Sequence, residues 1–159
     1  MAHSLRVSIL GDGRIARAVN HYLRKYGINA QLSGLNPALA KCDLLIGALA
    51  GELGESCLES ALKYKKNLID ISDVDPPFYL KREKEILKKG ITVIPGCGFS
   101  PGLVNFILGH ELILNRNAAK VAVKAGSLSK YKNYFPFLWC FEDLVLEHRI
   151  PSYQVMAGR

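Results

Sequence analysis

Apolar and polar positions along this chain follow two rhythms in turn. Leu5 to Leu10 is a short run of apolar and β-branched residues that stops at Gly11, after which Ile15, Val19, Tyr22 and Leu23 recur at helical spacing. This predicts a strand, a tight glycine turn and a helix, with Gly27 as the helix stop. Ile28 to Ser33 reads as a second short strand. Beyond Asn36 and Pro37 comes Asp43 to Leu49, a nearly continuous apolar run of the kind found in strands buried on both faces. Asn67 to Ser72 and Ile91 to Pro95 repeat that character. Amphipathic helices are expected between them, at about Glu55 to Tyr64 and Pro77 to Lys89, with Gly90 ending the second. Pro101 suits the first turn of a further helix to about Leu114, because its fixed φ and missing N–H fit that position.

Strands alternating with helices predict an α/β fold with a parallel sheet, right-handed crossovers, helices on both faces and ligands at the carboxyl ends of the strands. At 159 residues there is room for one well-buried domain and a small appendage. Asn115 to Ala119 is the expected boundary, giving domains 1–115 and 116–159. The second begins with a strand-like Lys120 to Gly126 and carries an aromatic stretch from Tyr131 to Phe141. That segment is too short to form a core unaided, so it packs on the first domain or on a partner chain. The expectation is a homodimer built through residues 120–159.

Composition narrows the function classes. With 49% hydrophobic and 22% charged residues the chain reads as globular. Its longest apolar stretches fall far short of a membrane span, and no signal segment opens it, so no membrane partner and a cytoplasmic location are expected. Cys42, Cys57, Cys97 and Cys140 form no CxxC pair or zinc-type cluster, so no metal is expected. The net charge of +7 would suit a polyanion. Its densest run, Lys81 to Lys89, is interleaved with Glu83 and Glu85 and reads as a solvated helix face. With no aromatic and basic stacking platform in view, nucleic acid is not an expected partner.

Gly11, Asp12, Gly13, Arg14, Ile15 and Ala16 match the dinucleotide fingerprint GxGxx(G/A) in the required setting, after a strand and opening a helix. Gly11 permits the tight turn, Gly13 lets the backbone approach a pyrophosphate, and Ala16 lets helix and strand pack closely. The helix N-terminus favours the anion. A glycine turn that merely joins strand to helix is the plain alternative, and Arg14 is either a phosphate neighbour or ordinary surface. The acidic residue that usually holds the ribose is missing from the end of the second strand, which reads Ser33-Gly34-Leu35-Asn36. Asn36 either bonds the cofactor, NAD or NADP, or is a turn residue. Ala48 and Leu49, ending the third strand, are assigned to the cofactor as well.

Four segments make a resemblance specific. Asp43-Leu-Leu-Ile-Gly-Ala-Leu-Ala, Cys57-Leu-Glu-Ser-Ala-Leu, Leu68-Ile-Asp-Ile-Ser-Asp73 and Ile94-Pro-Gly-Cys-Gly-Phe-Ser-Pro-Gly102-Leu-Val-Asn resemble successive landmarks of the saccharopine dehydrogenase family, most of all its lysine 6-dehydrogenase branch. Ala125-Gly126-Ser-Leu-Ser-Lys, followed by Trp139-Cys-Phe-Glu-Asp-Leu-Val-Leu-Glu-His and Pro151, resembles the opening of that family's second domain. The resemblance implies a Rossmann-type sheet and NAD(P)-dependent oxidation of an amino-acid C–N bond, of lysine or saccharopine type, through an imine. It also implies that Cys97, Gly98 and Phe99 face a small amino-acid substrate. Compared with the family, the adenosine half is shortened by a helix–strand–helix and the C-terminal α+β segment is truncated.

Asp73, at a strand end, either orients a substrate ammonium or relays a proton as a catalytic residue, or caps the next helix. Cys97 lines the site more naturally than it attacks, having no histidine beside it in sequence to activate it. Asp70 reads as structural, and the four histidines form no catalytic pattern. The competing function is a catalytically inactive dinucleotide-binding module or remnant with a scaffold role.

Overall fold

The computed structural model describes residues 5–124. Residues 1–121 form one compact unit and 122–159 another; the sheet and its helices lie in the first. The elements are β1 (Arg6–Leu10), α1 (Arg14–Lys25), β2 (Asn29–Ser33), β3 (Leu44–Gly47), α2 (Glu55–Tyr64), β4 (Asn67–Asp70), α3 (Pro76–Lys81), α4 (Glu83–Lys89), β5 (Val93–Ile94) and α5 (Leu103–Leu114). Short 3₁₀ turns at Pro37–Lys41 and Gly51–Gly54 flank β3.

All strand pairs are parallel and the order is β2-β1-β3-β4-β5. Side chains alternate across this sheet, as strand geometry requires. Leu10, Leu45 and Leu68 enter a core with Leu58 and Leu62 of α2 and Tyr79 of α3, whereas Val7, Ile9 and Ile46 pack with Ala16 of α1. Both faces are covered, which is why these strands read as unbroken apolar runs. Asp43 fastens the opposite, amino end. Its carboxylate accepts from the Arg6 backbone N–H at 2.8 Å and from the Arg6 guanidinium at 3.0 Å.

The result is a Rossmann-type α/β sheet. Its order follows from the six-stranded arrangement 3-2-1-4-5-6 when the third strand is left out, so among the described residues the adenosine half has only β1 and β2. The strand order reverses between β1 and β3, β2 lying to one side of β1 and β3 to the other, and the crevice at their carboxyl ends is the topological switch point.

Several boundaries differ from the sequence expectation. The helix expected at 77–89 is two helices that meet at Arg82, whose backbone sits at φ −98°, ψ 1°. The Arg82 guanidinium there pairs with Glu59 of α2 and with Glu85 at 2.8 Å. Pro101 is not in a first helical turn. The Ser100–Pro101 peptide is cis, and α5 starts at Leu103, after Gly102 at φ +132°, a conformation no helix can include. Strand β4 stops at Asp70, two residues early, because the Ser72 N–H donates to the Asp70 side chain instead of to the ladder. Strand β5 keeps only two of the five expected residues. Residues 120–124 are exposed and not in a strand. The expected aromatic stretch 131–141, the segment from Ala125 likened to the opening of a second domain, and the expected dimer surface past Lys124 lie outside the described residues.

Candidate dinucleotide-binding site

The β1–α1 turn is shaped by two glycines with opposite surroundings. Gly11 has φ +117°, and a Cβ there would lie 2.7 Å from the Ala48 carbonyl oxygen. The turn therefore presses on the end of β3, bringing Ala48 and Leu49, both half-buried, against it. The Gly11 N–H donates to Ser33 O at 3.2 Å, and the Ala48 N–H donates to Leu10 O at 3.0 Å, so the ends of β1, β2 and β3 are bonded together. Gly13 lies at φ −66°, ψ −178°, with no atom within 4 Å of where a Cβ would stand. It faces open space at the start of α1.

That helix start has no side-chain cap and no acidic residue in its first turn. Its leading N–H groups lack intrahelical partners and, with the helix dipole, favour an anion. Ala16 is fully buried against β1 and β3, which brings the helix close to the sheet. Arg17 braces the turn, with Nε donating to Asp12 O at 2.6 Å and the guanidinium 3.3 Å from the Asp12 carboxylate. Arg14 and Ile15 are exposed beside it. Asn36 is exposed too; its N–H donates to Gly34 O at 2.9 Å and its carbonyl accepts from the Leu39 N–H at 3.2 Å, so its backbone forms a turn.

Asp70, at the carboxyl end of β4, forms the floor. It is wholly buried: Oδ1 accepts from the Ser72 N–H at 2.8 Å and Oδ2 from the Tyr79 hydroxyl at 2.9 Å. Its backbone oxygen accepts from the Cys97 N–H at 2.9 Å, tying the 96–102 turn to β4. Gly47, its register partner on β3, leaves the space that the carboxylate and the Cys57 sulfur occupy. Burial, reinforced by the Asp70 charge, pushes both the Cys57 thiol and the Tyr79 hydroxyl up from their ordinary values.

Cys57 reaches about 11, from 9.0. The folded chain thus holds this proton to higher pH than the unfolded chain. The stabilisation is complete below pH 9 and is lost as pH rises towards 11. The loss expected from this thiol is about 2–3 kcal/mol. Urea unfolding at both ends of that window, on wild type and Cys57→Ala, measures it. Equal losses in the two proteins would rule the thiol out.

In the 96–102 turn, a Cβ on Gly102 would collide with the Gly98 backbone, and Leu103 N–H donates to Gly98 O at 3.0 Å. The Cys97 thiol donates to Ile94 O at 3.3 Å and is pushed up by burial, the opposite of an activated nucleophile. Phe99 is exposed. Asp73 is exposed as well, one residue past buried Ser72. It does not cap the next helix, whose N-cap is Asp75. No group of His, Cys, Asp and Glu among the described residues could hold a metal ion.

Fingerprint turn, Ala48–Leu49, Asp73 and the 96–102 turn thus belong to the carboxyl ends of neighbouring strands, while Asn36 lies on the connection leaving β2. Sequence reasoning read Asp70 as structural, in keeping with its burial and internal hydrogen bonds, but missed its partner Tyr79. The available signal was Asp70 itself, because a carboxylate within a doubly buried strand requires internal donors.

No protein-family model matches the sequence, and no curated protein does. Solved structures do resemble it. Saccharopine dehydrogenase (L-Glu forming) from Saccharomyces cerevisiae aligns at 20% identity with a TM-score of 0.56, covering 72% of this chain and 32% of that one. Homoserine dehydrogenase from S. aureus aligns at 17% identity with a TM-score of 0.45, covering 57% and 31%. An imine reductase from Myxococcus stipitatus, in complex with NAD+, aligns at 12% identity with a TM-score of 0.48, covering 58% and 40%. The chain thus spans less than half the length of each. What the likeness to the yeast enzyme shows is the fold: this chain carries the same kind of Rossmann-type sheet.

Proposed function

We propose that this chain binds NAD or NADP through residues 11–16 as part of a saccharopine dehydrogenase-like oxidoreductase acting on an amino-acid C–N bond. The observation that carries the reading is the open space at Gly13, beside an uncapped helix start at the switch point. A pyrophosphate fits there because no Cβ obstructs the backbone N–H groups. The bound cofactor would supply hydride exchange. Ala48 and Leu49 would border it. Asp73 would hold the substrate ammonium or a proton, and Cys97, Gly98 and Phe99 would line the substrate side.

Affinity is expected to be weak and discrimination between NAD and NADP small, because two strands, not three, make the adenosine half and Ser33-Gly34 offers no carboxylate for the ribose. Thermal-shift titration with both cofactors, then absorbance at the reduced-nicotinamide band with lysine or saccharopine, tests this. Binding without turnover would favour the inactive module. No stabilisation by millimolar cofactor would make the site vestigial and favour the remnant.

A further inference from the structure

The charge that looks scattered in the sequence is gathered by helix α1. Its twelve residues hold three arginines, a lysine and a histidine and no acidic residue. Helical spacing puts Arg14, Arg17, His21, Arg24 and Lys25 within an arc of roughly 100°, away from buried Ala16. Arg17, Asn20, His21, Arg24 and Lys25 line a surface cavity of about 390 Å³. The Asn20 Oδ1 is buried without a hydrogen-bond partner. Arg17 is tied to Asp12 at the N-terminal end, so the cationic character is strongest towards Arg24 and Lys25.

Aromatic surface adjoins this stripe. Tyr22 is 57% exposed and Tyr26 77%, one turn apart, and the ring of His21 packs edge-on against Tyr22 at 5.4 Å. Cations that track a backbone, flanked by rings on which bases stack, are the two ingredients of single-strand recognition. Tyrosine and arginine also mark protein interfaces, so an acidic protein is an outcome the test separates. We infer that the outward face of α1 is a docking surface for single-stranded nucleic acid. The stripe shares Arg14 with the fingerprint, and Arg17 braces that turn, but the variants below leave both in place, so the two readings are tested separately.

Fluorescence anisotropy with a labelled, mixed-sequence single-stranded RNA tests it. With three to four phosphates neutralised, affinity should fall roughly 15- to 60-fold between about 50 and 200 mM salt. Arg24→Gln with Lys25→Gln should weaken binding at least fivefold at the lower salt. Lys84→Gln with Lys88→Gln on α4 removes the same charge and should change it less than twofold. Tyr22→Ala with Tyr26→Ala should weaken RNA at least fivefold and leave inorganic polyphosphate unaffected, with melting curves checking that each variant folds. No RNA binding at the lower salt overturns the inference. So does equal weakening by the α4 pair, which would mean a response to net charge alone. Tyrosine variants without effect, together with polyglutamate competing as well as RNA, would assign the face to an acidic protein.

Discussion

Gly47→Ala should lower the thermal midpoint by 10 °C or more, or leave the chain unfolded. The added methyl would stand 2.8 Å from Asp70 Cγ and 2.9 Å from the Cys57 sulfur, with an Asp70 oxygen closer still. Neither neighbour has room to move. Asp70 is held by the Ser72 N–H and the Tyr79 hydroxyl, and Cys57 is wholly buried on α2. Overpacking a core costs about 1–3 kcal/mol, and losing hydrogen bonds to a buried carboxylate adds roughly 1–3 more. Domains are stable by only about 5–15 kcal/mol in total. Gly13→Ala is the matched control, since its methyl meets nothing within 4 Å. If the two variants melt together, Asp70 is not the packed floor described above.

How much of the fold was legible follows from which signals are local. Helix α2 runs from Glu55 to Tyr64 as its periodicity predicts, and the apolar strands lie where their unbroken runs put them. What periodicity could not show is where a side chain takes over a backbone bond. Strand β4 ends early because Asp70 captures the Ser72 N–H. The predicted 77–89 helix breaks at Arg82, a residue paired across space with Glu59. Proline at 101 looked like a helix start, but the turn is built from glycines whose fit depends on Gly98 and Gly102 meeting each other. These contacts join residues that have no fixed spacing in sequence.

The site divides in the same way. The fingerprint at 11–16 is contiguous, and its two glycines have the surroundings their positions imply, one pressed against β3 and one open. Asp70 and Tyr79 are nine residues apart and meet only because α3 turns back under β4. The basic face of α1 is a different case: a helix was expected there, and Arg14, Arg17, His21 and Arg24, dispersed in the sequence, share one face as soon as they are wound onto it. Helix α5 shows the converse. Its position was readable, yet none of its residues is buried, and Phe106 is 75% exposed.

Gly13→Val is expected to abolish dinucleotide binding while leaving the fold as it is. At φ −66°, ψ −178° a β-branched residue is unstrained, and nothing within 4 Å opposes its Cβ, so the sheet and α1 should form normally. The same side chain would occupy the space a pyrophosphate needs to reach the first N–H groups of α1. Wild type at a cofactor concentration about ten times its Kd should gain roughly 1.4 kcal/mol, a shift of several degrees. The variant should gain none, with its own midpoint unchanged in the absence of cofactor. A variant that melts early has lost the fold and says nothing about the ligand, so Gly13→Ala, with its smaller side chain, should fall between the two in affinity. If Gly13→Val folds and is stabilised as strongly as wild type, the cofactor binds elsewhere and the fingerprint turn is only a connection. If wild type itself gains nothing, the geometry at Gly13 is that of a dinucleotide site without its ligand, and the oxidoreductase reading fails with it.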